Sequence, residues 1–146
     1  MKLTSTIISL AALFSFASAA GDVHVLNYNS AYDDPNRQLD TVVCHDYLIN
    51  LKMGYTTYSS LPAFPYIGGF VTVLSQSSPE CGTCWQITHG EKSVNVLAIG
   101  KTNDGVELPR KAMDILISNN GAGAQFPKFP LTTATVTRVE NAKCNM

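Results

Sequence analysis

The sequence predicts a mainly-β domain, a barrel with one or two short helices on it. Three observations predict it. Short runs of β-formers recur between turn signals, at Val23–Tyr28, Trp85–Thr88 and Ser93–Ile99. Only one stretch, residues 109–117, carries a clear helical period. Four cysteines lie in a chain that opens like a secreted one.

Residues 1–19 read as a removed leader. Lys2 gives a positive start, residues 7–16 an apolar core too short to span a bilayer, and Ala17-Ser18-Ala19 a small-x-small cleavage site. Residues 20–146 remain as one domain, in an oxidising compartment. Charged residues are 14% of the chain, against about 25% in an average protein. Its net charge is −1, with no basic patch. Nucleic acid and anionic membrane are therefore excluded as expected partners, and a neutral polar surface suits an uncharged ligand.

In order, Val23–Tyr28 is the first strand and Tyr32-Asp33-Asp34-Pro35-Asn36 a turn cluster. Residues 39–44 form an apolar segment of undecided type. Residues 54–69 read as a long irregular loop, because Pro62 and Pro65 deny it a regular helix or central strand. Its tyrosines at 55, 58 and 66 make it a candidate binding surface, although each ring serves equally well as core cover. Phe70–Leu74 is a candidate strand. Trp85–Thr88 and Ser93–Ile99 form a hairpin around His89-Gly90-Glu91-Lys92, and Asn103-Asp104-Gly105 is a turn. Pro109 opens the helix, Ala112, Met113, Leu116 and Ile117 give its apolar face, and Asn119-Asn120-Gly121 ends it. Residues 131–139 alternate as a half-buried strand.

Cys81-Gly82-Thr83-Cys84 admits two readings, a redox pair or a turn whose cysteines reach two distant partners. The β-type run after Cys84 disfavours a thioredoxin-like helix start, and Cys44 and Cys144 leave three pairings open. His24, His45 and His89 lack metal-ligand spacing, so no metal and no cofactor are expected. No Gly-x-Ser-x-Gly elbow occurs, and Gly121-Ala122-Gly123 lacks the Lys-Ser/Thr of a phosphate loop. Asp33, Asp34, Asp40, Asp46, Asp104 and Glu107 are acids by type, but most sit in turns, where Asp serves local hydrogen bonds.

Taken together, several motifs resemble the cerato-platanin family. They are Ser78-Pro79-Glu80-Cys81-Gly82-Thr83-Cys84-Trp85, Gly54-Tyr55-Thr56-Thr57-Tyr58, Ser60-Leu61-Pro62-Ala63-Phe64-Pro65, Ile67-Gly68-Gly69, Asn27-Tyr28-Asn29, Tyr32-Asp33 and Ala112-Met113-Asp114-Ile115-Leu116. The resemblance implies a six-stranded double-psi β-barrel related to the first domain of expansins, with disulfides Cys44–Cys81 and Cys84–Cys144. It implies a secreted or wall-bound fungal protein, largely without catalysis, that binds chitin or N-acetylglucosamine oligomers in a shallow groove. It also implies provocation of plant defences through a surface receptor, and a monomer with some capacity for self-assembly or wall loosening. Asp46, Tyr55, Tyr66, Gly68, Gly69 and Glu107 fall at the groove positions. Three residues depart from the pattern. Gly100 stands where an Asp is usual, Glu107 where an amide is usual, and Tyr47 where a glycine is usual.

Overall fold

The structure is a computed structural model that describes residues 20–51, 54–117 and 132–146. The leader and the expected helix stop at 119–121 lie outside the described residues, as does Leu131 at the start of the last expected strand.

Six strands close into a barrel in the order β1 (Asp22–Tyr28), β5 (Val106–Leu108), β2 (Ile67–Phe70), β4 (Lys92–Lys101), β3 (Cys84–His89) and β6 (Thr133–Val139), which returns to β1. β1 with β5 and β2 with β4 run parallel, and the other four pairings are antiparallel. Closure leaves no open sheet edge and gives every strand two neighbours. The inward residues Leu26, Ile67, Phe70, Ile87, Val96, Ile99, Val106 and Val136 fill the core, and helix α2 (Arg110–Ile117) adds Ala112, Met113 and Leu116.

The β3–β4 hairpin is as expected, with Gly90 supplying the left-handed turn residue at φ +60°. The strand placed at Phe70–Leu74 lies earlier. β2 is Ile67–Phe70, and at Val71-Thr72 the chain turns, with Val73 N–H donating to the Phe70 carbonyl at 3.1 Å. The 54–69 passage is thus a strand at its end. Two glycines hid it, since glycine lowers strand propensity. Here they are required. A Cβ on Gly68 would fall 2.5 Å from the Glu107 carbonyl, and one on Gly69 2.6 Å from the Tyr32 hydroxyl. The 39–44 segment is a 3-10 turn, Leu39–Thr41, followed by a short helix, α1 (His45–Asn50), that buries Leu48. Cys44 bonds to Cys81 and Cys84 to Cys144, the pairing the resemblance implies.

Candidate functional site

The second half of β4 is the beam on which the surrounding loops hang. Leu97 N–H donates to the Tyr66 carbonyl at 3.0 Å, and Gly82 N–H to the Ala98 carbonyl at 2.8 Å. The β2–β4 register slips between Gly68 and Gly69, so Gly68 faces Ala98 while Gly69 faces Gly100. Ile99 is the extra residue of this bulge, and its carbonyl accepts the Cys44 N–H at 3.1 Å. The start of α1, the Cys81–Cys84 turn and the end of β2 therefore all meet β4 between residues 97 and 100.

Beside this junction lies a polar cluster. Gly69 is the Cα partner of Glu107, and the Glu107 side chain is half-buried. Asn29 Nδ2 donates to its Oε2 at 2.7 Å and Thr102 Oγ1 to its Oε1 at 3.0 Å. Two donors from different segments thus hold the carboxylate in one orientation. Asn29 is fixed in turn, because its Oδ1 accepts the Ala31 N–H at 2.9 Å and opens the 3-10 turn Ser30–Asp33. Asp33, at the end of that turn, accepts from the Tyr28 hydroxyl and from the Arg110 N–H, both at 2.7 Å. A residue 77 positions away thereby satisfies a first-turn donor of α2. The bond to Asp33 is the main cause that raises the Tyr28 pKa above its ordinary value.

Tyr32 occupies the middle of the cluster. Its ring stacks on Tyr58 with centroids 6.1 Å apart and planes 17° apart, and its hydroxyl reaches Gly69 and Gly100. A Cβ at Gly100 would lie 2.5 Å from that oxygen. Burial, then the neighbouring Tyr58 and Glu107, push the Tyr32 phenol well above its usual pKa, so it stays protonated.

The six groove positions divide in four ways. Gly68, Gly69 and Glu107 lie together where β2 meets β5. Both glycines are buried, and Tyr32 and the Glu107 backbone fill the room they leave. Tyr66 is half-buried just before β2 and packs against the core. Asp46 is exposed on α1, with its Oδ1 2.9 Å from His45 Nε2. Tyr55 lines a different cleft, with Tyr47 and Gly82. Sequence reasoning missed Thr102 and the plug role of Tyr32. No local spacing marks either, since both act on residues brought close only by barrel closure. Among the described residues no three His, Cys, Asp or Glu side chains gather as a metal site, and no helix is long and apolar enough to cross a membrane.

The fold and its motifs have known counterparts. The family model for cerato-platanin matches residues 24–146. The chain is 32% identical over 120 residues to a heat-stable 19 kDa antigen of Coccidioides posadasii, covering 82% of this chain and 81% of that protein. It is 39% identical over 128 residues to an Allergen Asp f 15 homolog of Arthroderma benhamiae, covering 84% and 61%. The crystal structure of cerato-platanin 1 from M. perniciosa superposes with a TM-score of 0.69 at 31% identity, covering 83% of this chain and 98% of that one. With a closed six-stranded barrel, both disulfides and a family match over residues 24–146, the chain belongs to the cerato-platanin family.

Proposed function

We propose that the protein, freed of residues 1–19, is a secreted, non-catalytic binder of N-acetylglucosamine oligomers that acts at the fungal wall and as an elicitor towards a plant host. The observation that carries the binding reading is the oriented Glu107 carboxylate, held by Asn29 and Thr102, with Tyr28 exposed on the neighbouring strand β1. A fixed ionised acceptor takes strong hydrogen bonds from sugar hydroxyls and acetamide N–H groups, and an exposed phenol ring offers a face to the apolar side of a sugar. Two disulfides support life outside the cell. Relatives named as an antigen and an allergen fit a protein that a host meets directly.

The absence of turnover rests on chemistry. Glycoside hydrolysis takes a carboxyl pair about 5–9.5 Å apart, one of them a proton donor. At position 100 there is no acid, and the Tyr32 hydroxyl fills the space one would enter. Glu107 has both oxygens engaged by donors.

Titration of the labelled protein with N-acetylglucosamine tetramer tests the reading. Amide shifts are expected at Gly69, Gly100, Thr102 and Glu107, saturating on the order of millimolar ligand. Glu107→Gln should weaken them, and reducing-end assays should stay flat. Shifts confined to α2, or sugar release that depends on Asp46, would end it.

A further inference from the structure

A second cleft, of about 550 Å³, opens between α1, the chain at Tyr55, the Cys81–Cys84 turn and the 3-10 turn Asn141–Cys144. It shares no lining residue with the Glu107 cluster. Its volume falls in the range of about 300–1,000 Å³ typical of small-molecule sites. The walls are carbon. Tyr47 lays its ring over Gly82, where a Cβ would overlap the ring, and remains 41% exposed on its other side. Gly82 has φ +69°, so the bare backbone under the ring is also a conformation that suits glycine. Tyr55, Leu51 and Met146 are half-buried against the core and continue the apolar lining.

No ionisable acid or base side chain other than the two phenols faces this space; its polar groups are amides. Asn141 Oδ1 accepts the Cys84 N–H at 3.2 Å, which leaves its Nδ2 free to donate outward. Asn50 and Asn145 bring two more side-chain amides to the lining.

We propose that this cleft binds an uncharged, flat, largely apolar ring compound that carries a hydroxyl or carbonyl group at its edge. Ring faces match Tyr47 and Tyr55, and burying apolar surface drives the association. One or two edge oxygens match the amides. An anionic ligand finds no cationic side chain in the lining and loses its hydration. A densely hydroxylated sugar would turn unpaired hydroxyls towards Leu51 and Met146, which sets this ligand class apart from the oligosaccharide assigned to Glu107.

The test uses the full chain with three probes. Dehydroergosterol represents a sterol source with its edge hydroxyl, phenylnaphthylamine the bare aryl frame with only an N–H at its edge, and anilinonaphthalene sulfonate that same frame with a charge. The neutral probes should saturate at one per chain, with amide shifts at Tyr47, Gly82 and Asn145, and phenylnaphthylamine should bind at least tenfold more tightly than its sulfonate. Saturation by dehydroergosterol alone assigns a sterol-shaped ligand, and by phenylnaphthylamine alone a smaller aryl one. Tyr47→Ala should cut affinity at least tenfold at an unchanged melting temperature. Asn145→Gly keeps the left-handed backbone at φ 60° and should weaken dehydroergosterol severalfold. Non-saturating binding, equal affinity for the charged and neutral aryl probes, shifts at Gly69 and Glu107, or undiminished binding by a folded Tyr47→Ala would each overturn the proposal.

Discussion

Placing a single methyl group at position 100 should measure how firmly Tyr32 closes the barrel groove. In Gly100→Ala the new Cβ sits 2.5 Å from the Tyr32 oxygen, about an ångström inside normal contact. The ring cannot swing away cheaply, because it is 5% exposed and stacked on Tyr58. Overpacking of this kind costs about 1–3 kcal/mol. For a domain of about 127 residues, at roughly 2.1 cal/mol/K of unfolding entropy per residue, that is a fall of about 4–11 °C in melting temperature. Tyr32→Phe removes the offending oxygen alone. The next atoms the Cβ would meet are then Tyr32 Cζ at 3.6 Å and Gly69 Cα at 3.8 Å, which are ordinary contacts. The cost of Gly100→Ala should therefore shrink by about 1 kcal/mol or more in the Tyr32→Phe background, a coupling well above the scatter of additive pairs. Thermal melts of the four proteins complete the cycle. Equal penalties in both backgrounds, or a neutral Gly100→Ala, would refute the plug.

Two further outcomes follow from the same cluster. Burial raises the pKa of Tyr32 and Tyr58 in the folded protein, so both favour the protonated phenol. Their contribution to stability is complete below the unfolded tyrosine value of about 10 and is lost as pH climbs above it towards the folded values. The melting temperature should hold from neutrality to about pH 9 and fall beyond pH 10, less steeply in Tyr32→Phe; a flat alkaline profile contradicts this. Asp33→Ala removes the acceptor for the Arg110 N–H and the Tyr28 hydroxyl. It should cost about 1–2 kcal/mol in denaturant melts and return the Tyr28 phenol towards its ordinary titration, seen by ultraviolet absorbance. An unshifted Tyr28 would show that Asp33 is not its controlling partner.

What the sequence made legible was what short-range physics determines. The β3–β4 hairpin carries its β-formers and its turn glycine in one window, and α2 carries a full amphipathic period. β5 has three residues, too few for any period, and is set by its two neighbours in the barrel. α1 has six and buries one leucine, so the bridge at Cys44 and the bond to Ile99 position it more than its own pattern does. β2 reads as loop because Gly68 and Gly69 answer to Glu107 and Tyr32, residues distant in the chain. The site follows the same rule. Glu107 was visible as an acid, whereas its holders Asn29 and Thr102 are polar residues of a common kind until the barrel closes. The cysteine pairing came from family likeness, since spacing alone left three arrangements open.

The two disulfides spring from one four-residue turn in opposite directions along the chain. One closes the ring from 44 to 81, and the other the ring from 84 to 144. A protease that cuts one peptide bond inside either ring opens a loop but frees no fragment. From Cys44 onward, only a cut between Cys81 and Cys84 or beyond Cys144 parts the chain, and Cys81, Gly82, Thr83 and Cys84 are all buried. A molecule nicked once inside either ring therefore stays one covalent piece, with both halves of the barrel still tethered at the same turn.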